Sequence, residues 1–93
     1  MADCMLKNRK PLDGDSFVEF RIYSVPRSKQ FQEGIKYSLS YVKQDICILR
    51  YDNEKEKGHH RHFKGVESKI DFNSTEKLIE KFEKEVERLR KGD

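Results

Sequence analysis

Two segments near the middle of the chain alternate apolar and polar residues, which is the pattern of a strand with one buried face. In the segment 17–25, FVEFRIYSV, the apolar positions are Val18, Phe20 and Ile22. The segment 35–42, IKYSLSYV, repeats the alternation with Ile35, Tyr37, Leu39 and Tyr41 on one side. We therefore predict two neighbouring strands that turn the same kind of face towards a core.

Three further segments extend the predicted sheet. Residues 4–12 form a first strand that ends at the turn 12–15, where Asp-Gly supplies the positive φ of a hairpin. The continuous apolar run 46–51, ICILRY, predicts a central strand covered on both faces. The segment 59–63, HHRHF, returns as another strand, so that 50–63 is a hairpin whose charged loop, with Lys55 and Lys57, is only solvated.

The last element is a helix that begins near Asn73 or Ser74, where Asn73 and Glu76 have the spacing of a capping box. Gly92 is expected to end it. Its apolar residues recur at helical spacing and predict the buried stripe. They are Leu78, Ile79, Phe82, Val86 and Leu89.

These elements predict an α+β fold with an antiparallel sheet of about four to five strands and one C-terminal helix packed on one face. The 93 residues are enough for a single domain, 1–93. With 34% hydrophobic and 40% charged residues, the chain can bury one apolar layer and no deep pocket is expected. The other face of the sheet is left to solvent or to a partner.

Charge and cysteine usage restrict the location more than the function. The net charge of +3 favours a polyanionic partner only if folding gathers the basic residues on one face. Cys4 and Cys47 have no paired spacing, and no signal peptide or membrane-spanning run of about 18 apolar residues is present. We predict a cytoplasmic protein with no membrane contact.

The segment 50–63, RYDNEKEKGHHRHF, contains all three histidines of the chain. No P-loop, GxSxG, HExxH or GxGxxG motif occurs, so the usual support for nucleotide hydrolysis, serine hydrolases and zinc proteases is missing. On a strand, His60 and His62 point to one face, while His59 and Arg61 point to the other.

Metal-independent cleavage of RNA is the first interpretation of this pattern. It needs a base, an acid and a cation beside the phosphate. His60 and His62 can act as the acid–base pair near neutral pH, oriented by Tyr51 or Asp52 across the hairpin. Arg50, Arg61 or Lys64 could then hold the phosphate.

Two other interpretations stay open. His60 and His62 could share a metal ion, with Asp52 or His59 as a third ligand. No fourth ligand is evident, which disfavours a structural zinc site and leaves an adventitious or catalytic site with open positions as the alternative. In the third interpretation, the hairpin is only polar, and its histidines are surface residues or form hydrogen bonds to the sheet edge.

The ordered set of motifs FVEFRIYSVP, GIKYSLSYV, RYDN, KGHHRH and LIEKFEKEVE resembles the TumE toxin family of prokaryotic toxin–antitoxin systems. The resemblance covers about residues 4–90. Its most specific parts are 51–53 and 58–62. It implies a small toxin that is bound by a helix-turn-helix antitoxin of the TumA type, which also represses the operon.

We therefore predict a toxin that acts on RNA or translation, with a metal-independent ribonuclease as the mechanism, and a non-catalytic nucleic-acid or protein binding module as the alternative. No metal or other cofactor is predicted. The partners are the antitoxin and RNA, and a homodimer is one candidate assembly. The predicted catalytic residues are His60, His62, His59, Tyr51 and Asp52. The predicted substrate-binding residues are Arg50, Asn53, Arg61 and Lys64.

Overall fold

The computed structural model describes residues 3–54 and 58–92, which form one six-stranded antiparallel sheet and one helix. The strands follow one another in chain order across the sheet, so every neighbouring pair is connected directly. The elements are β1 (Asp3–Pro11), β2 (Ser16–Ser24), β3 (Ile35–Lys43), β4 (Ile46–Asp52), β5 (His60–Phe63), β6 (Val66–Lys69) and α1 (Thr75–Arg90). The predicted α+β class, the antiparallel sheet and the C-terminal helix are confirmed.

The sheet has one strand more than the four to five predicted. The additional strand, β6, has only four residues, and all four are exposed. Its sequence, VESK, has a single apolar residue and so shows no apolar alternation from which a strand can be predicted. It pairs with β5 through a tight turn at Lys64 and Gly65, both of which have positive φ.

One face of the sheet is covered by α1, and the core lies between them. Ser74 caps this helix, because its hydroxyl accepts a hydrogen bond from the Lys77 amide at 3.1 Å. Phe82 is fully buried and meets the rings of Phe20 and Tyr51 edge-on, with centroids 5.9 and 5.1 Å away. The predicted helical stripe is confirmed, with Leu78, Phe82 and Val86 buried and Ile79 and Leu89 half-buried.

The prediction that β4 is covered on both faces was wrong. Ile46 and Cys47 are exposed, whereas Leu49 and Tyr51 are buried beneath the helix. The reason is that α1 covers only one side of the sheet, so the apolar run has a layer to pack against on one face alone.

Two faces of the sheet are distinguished below. The helix face carries the core residues of the strands. The open face carries the alternate residues, and among residues 3–54 and 58–92 no helix packs against it. In strands β3 to β6 the open face includes Ser38, Ser40, Arg50, Asp52, His60, His62, Glu67 and Lys69.

Three smaller predictions concern the charged loop, the Asp-Gly turn and membrane spans. The charged loop with Lys55 and Lys57 lies partly outside the described residues, because these do not include 55–57. Gly14 has a φ of +59°, as the predicted Asp-Gly turn requires. Within the described residues, no helix is both long enough and apolar enough to cross a membrane.

Candidate functional site on the open face

The register between β4 and β5 determines which side chains meet across the histidine hairpin. Asp52 is paired with His60, and Arg50 is paired with His62. Directly paired residues point to the same face of a sheet. His60 and His62 therefore share the open face with Asp52, while the neighbouring Tyr51 points to the helix face.

Asp52, His60 and His62 form the Asp52–His60–His62 cluster. The His60 Nε2 atom lies 3.1 Å from Asp52 Oδ1, and the His62 Nε2 atom lies 3.5 Å from Asp52 Oδ2. The two imidazole rings are 4.7 Å apart between centroids and inclined by 66°. One nitrogen or oxygen of each residue lies within 4.8 Å of the others. Both imidazoles thus turn the same ring nitrogen towards one carboxylate.

The tautomer of His60 is defined by the loop that precedes β5. Its Nδ1 atom lies 2.7 Å from the carbonyl oxygen of Gly58. A carbonyl oxygen only accepts hydrogen bonds, so Nδ1 must carry the proton. In the neutral ring the lone pair is consequently on Nε2, the atom that faces Asp52. With 2% of its surface exposed, His60 is held in this orientation.

His62 is the more accessible histidine of the cluster, with 24% of its side chain exposed. Burial lowers the pKa of His62, and the nearby Arg50 and His60 lower it further, although Asp52 opposes them by raising it. The net shift is downward, so the imidazole of His62 is neutral at neutral pH. A neutral imidazole can accept a proton or bind a metal ion.

The cluster also contains buried polar atoms without hydrogen-bond partners. Among the described residues, the buried side-chain nitrogen and oxygen atoms that lack one are Arg50 Nε, Asp52 Oδ1, His60 Nε2 and His62 Nε2. All four belong to this site. Buried polar groups in folded proteins are almost always satisfied, and a group of exceptions at one place indicates a bound water, an ion or a chemical role.

Arg50 and Glu67 border the cluster. The Nε atom of Arg50 lies 2.8 Å from Asp52 Oδ2, and 39% of the arginine side chain is exposed. Glu67, on β6, places its carboxylate oxygens 3.6 Å from His60 Nε2 and 3.9 Å from His62 Nδ1. Sequence reasoning missed Glu67, because its position opposite His62 depends on the short strand β6.

Tyr51 and Arg61, predicted to orient a histidine and to hold phosphate, lie on the helix face and do not join the cluster. Tyr51 donates a hydrogen bond from its hydroxyl to Glu85 of α1. The Nε of Arg61 donates to the same carboxylate at 2.9 and 3.1 Å. Burial acts to raise the pKa of Glu85, but the hydrogen bonds from Arg61 and Tyr51 outweigh it and hold that pKa below its usual value. Both residues thus anchor the helix to the sheet.

His59 is also separate from the cluster. Its ring stacks on Phe72 and Tyr37, with centroids 4.7 and 5.6 Å away. Its Nδ1 lies 2.9 Å from the Tyr37 hydroxyl, and its Nε2 lies 3.0 Å from Glu33 Oε1. Both ring nitrogens are engaged in holding the end of the sheet together.

Asn53 and Lys64, predicted to bind substrate, have structural surroundings instead. The Asn53 side chain is buried, accepts a hydrogen bond from the Tyr37 amide at 2.9 Å and donates one to the Ile35 carbonyl at 2.8 Å. Lys64 lies in the turn after β5, with its ammonium group 5.2 Å from the centre of the Phe63 ring. Neither side chain faces the cluster.

A surface groove of ≈ 290 Å³ lies beside the cluster on β2 and β3. Ser38, which lines it, is the residue of β3 paired with Asp52. The groove is also lined by Arg21, Tyr23, Lys36, Tyr37 and Glu54. Its two cations are ion-paired, Arg21 with Glu19 at 3.2 Å and Lys36 with Glu54 at 3.8 Å. Cations and an aromatic ring are the groups that contact phosphates and bases in nucleic-acid sites.

Fold and site together define a small α+β protein that presents a histidine–carboxylate cluster on an uncovered sheet face. The chain belongs to the Toxin TumE family, whose model matches residues 5–90, nearly the whole length. It is accordingly the toxin component of a toxin–antitoxin system, and an antitoxin is its partner. No curated protein and no solved structure gives a significant match to the chain.

Proposed function

We propose that this toxin acts on RNA and cleaves it at the Asp52–His60–His62 cluster. The observation that carries the proposal is the convergence of two imidazoles and a carboxylate whose buried polar atoms have no hydrogen-bond partner among the described residues. Clustered titratable groups that are not satisfied by structure are typical of catalytic sites.

His62 is best placed to act on a substrate hydroxyl. Its side chain is partly exposed, and its lowered pKa keeps the ring neutral and able to accept a proton. His60 is almost fully buried and donates from Nδ1 to the Gly58 carbonyl. Its role in the proposal is to position the Asp52 carboxylate, which lies 3.1 Å from its Nε2. His62 thus takes the proton of the 2′-hydroxyl that attacks phosphorus, and water protonates the leaving 5′-oxygen, whereas the sequence suggested His60 and His62 as an acid–base pair.

Arg50 is best placed to contact phosphate. It lies beside Asp52 on the open face, and its side chain is 39% exposed. A guanidinium group next to the reacting phosphate stabilises the negative charge that develops there. The adjoining groove with Arg21, Lys36 and Tyr23 offers further contacts along an RNA strand.

The same groove favours a second candidate function, a module that binds RNA without cleaving it. In that case Arg21, Lys36 and Tyr23 of the groove carry the affinity, and the cluster is only a polar network. The two functions predict the same binding and differ in whether the RNA chain is broken.

Cleavage of a synthetic single-stranded RNA by the purified protein tests the proposal. The assay is run with added Zn²⁺, Mn²⁺ or Mg²⁺ and again with chelator, so that the outcome does not depend on which ion is needed. We expect cleavage by the wild type and a loss of at least about 100-fold in His62→Asn, the scale of an acid–base group. Lys81→Gln, an exposed change on α1, is the matched control and keeps full activity.

Intact RNA under every condition, with RNA binding retained, would reject the enzyme in favour of the binding module. An absence of both cleavage and binding would reject action on RNA altogether. Loss of cleavage in Lys81→Gln as well as in His62→Asn would show that the assay does not report on the cluster.

For the antitoxin we propose the helix-turn-helix type, supported by the membership of the chain in the TumE family. The open face is the surface an inhibitor must cover, because it holds the cluster. A homodimer stays a prediction. The exposed edge strand β1 carries Lys7, Arg9, Lys10 and Pro11, which disfavour pairing of two sheets at that edge.

A further inference from the structure

We propose that Asp52, His60 and His62 form a binding site for a divalent transition-metal ion, with His60 Nε2, His62 Nε2 and Asp52 Oδ1 as its donors. The inference stands on the geometry of the cluster and does not depend on the proposed ribonuclease activity. In the metal-bound state His62 Nε2 is a ligand and no longer accepts a proton, so the base role proposed for His62 belongs to the metal-free protein. It takes up the metal-binding interpretation that the sequence left open, in place of the metal-independent mechanism and the absence of a metal predicted there.

The spacing of the donor atoms is that of ligands around one ion. Zinc–nitrogen and zinc–oxygen bonds are about 2.0–2.2 Å long, so two ligands of a tetrahedral zinc ion lie roughly 3.3–3.6 Å apart. His60 Nε2 lies 3.1 Å from Asp52 Oδ1, while His62 Nε2 lies 3.5 Å from the other carboxylate oxygen, Oδ2. One donor atom of each of the three residues lies within 4.8 Å of the others, so the side chains must draw closer together to enclose an ion.

The direction of the contacts supports the same conclusion. His60 Nε2 and Asp52 Oδ1 are close enough for a hydrogen bond, yet neither atom has a hydrogen-bond partner among the described residues. They are therefore misaligned for an N–H···O bond. Ligands of one ion approach each other in this way, because their lone pairs point at the ion and not at one another.

The Nδ1 nitrogen of the His60 ring is oriented as in metal-bound histidines. His60 donates its Nδ1 proton to the Gly58 carbonyl at 2.7 Å, which leaves Nε2 for the ion. The Nδ1 of His62 lies 3.9 Å from Glu67 Oε2, beyond hydrogen-bond distance, so it is the His60 ring whose tautomer is fixed in this way. A backbone carbonyl or carboxylate behind the ring is the usual arrangement that fixes the tautomer of a metal ligand.

The Asp52 carboxylate contacts Arg50 through Oδ2, which leaves Oδ1 available as a metal ligand. Arg50 lies against Asp52 Oδ2 at 2.8 Å, and Oδ1 stays without a hydrogen bond among the described residues. Asp52 and His60 are 3% and 2% exposed. Two buried side chains thus place atoms without hydrogen-bond partners among the described residues, His60 Nε2 and Asp52 Oδ1, 3.1 Å apart.

The donor set selects the class of ion. Two imidazoles and one carboxylate suit zinc and neighbouring first-row metals, whereas Mg²⁺ and Ca²⁺ prefer oxygen ligands throughout. Three protein donors leave a coordination position open, as in catalytic zinc sites. His62 is the exposed member of the cluster, so the open position is reached from its side.

Calorimetric titration of the chelator-treated full chain with ZnCl₂ tests the inference, with no RNA present. We expect one ion per chain and no comparable binding of Mg²⁺. Loss of an outer hydrogen-bond partner of a ligand already weakens metal binding by about 10–100-fold, so His62→Asn and Asp52→Asn should each weaken it by at least about 100-fold. His59→Gln removes a histidine of the same hairpin outside the cluster and should leave binding unchanged.

Thermal melting checks that each variant is folded. If a variant does not fold, nitrogen-15 resonances of the histidine rings in the wild type supply the second measurement. Zinc should then shift Nε2 of His60 and His62 while Nδ1 of His60 keeps its proton. Absence of zinc binding, or equal weakening in His59→Gln, overturns the site. Zinc binding by a chain that leaves RNA intact overturns the ribonuclease and keeps the site.

Discussion

His60 Nε2 lies 3.1 Å from Asp52 Oδ1 on the open face of the sheet, and the two residues are paired directly between β4 and β5. The pairing places the carboxylate, both imidazoles and Arg50 on the face that α1 leaves uncovered. A shift of one residue in this register would bring Tyr51 to the histidines instead. The register therefore determines which residues of the hairpin can act together.

Toxicity in cells should depend on the open-face cluster. Expression of the wild-type chain without antitoxin is expected to arrest growth, because the chain belongs to a toxin family. His62→Asn should restore growth at an equal level of soluble protein, whereas Lys81→Gln should stay toxic. Growth curves with immunoblots measure both. Arrest by His62→Asn at the wild-type level would place the toxic site elsewhere on the molecule.

The contact of Arg61 and Tyr51 with Glu85 should matter for stability and not for activity. Glu85→Ala leaves both donors without their acceptor, and we expect a loss of about 2–3 kcal/mol in the free energy of unfolding. Urea unfolding measures the loss. RNA cleavage per folded molecule should stay within about 2-fold of the wild type, because Glu85 lies on the helix face and is not part of the cluster. Loss of a catalytic acid or base would lower the rate by about 100-fold or more. A large drop in cleavage by a folded variant would return Arg61 to the site.

Stability should fall in acid partly through Glu85. Its pKa is below the ordinary value of 4.5, so near and below that pH the unfolded state binds more protons than the folded state. The stabilisation is complete above the ordinary pKa and is lost as the pH falls through the lower pKa of the folded chain. Glu85→Gln should flatten the dependence of unfolding free energy on pH in this range.

The matched control for this pH dependence is Glu80→Gln. Glu80 lies on the same helix, but its side chain is 64% exposed, so its change should leave the profile as in the wild type. Equal profiles for wild type and Glu85→Gln would show that Glu85 does not contribute to acid sensitivity.

Asn53 should behave as a structural residue. Asn53→Ala removes hydrogen bonds to the Tyr37 amide and the Ile35 carbonyl, which leaves two backbone groups of β3 without these partners. We expect a loss of about 1–3 kcal/mol in the free energy of unfolding. Thermal and urea unfolding measure it, and zinc binding should persist at one ion per chain. A stable Asn53→Ala variant with weakened RNA binding would support the substrate contact predicted from the sequence.

Strands β2 and β3 and helix α1 could be predicted because their apolar spacing is regular. Strand β6 could not, since VESK has no apolar pattern and depends on pairing with β5. The alternation on β5 correctly separates His60 and His62 from Arg61. Which residue of β4 meets them depends on register, which one sequence does not contain. Glu85 and Glu67 were missed for the same reason, because their contacts join elements that are distant in the chain.

The most direct test of the account compares two adjacent residues of β4 in the RNA cleavage assay. Asp52→Asn removes the carboxylate of the cluster, and Tyr51→Phe removes only a hydroxyl on the helix face. We predict that Asp52→Asn lowers the cleavage rate by at least about 100-fold while Tyr51→Phe stays within about 3-fold of the wild type. Cleavage that survives in folded Asp52→Asn, or that is lost in folded Tyr51→Phe, would contradict a functional site on the open face.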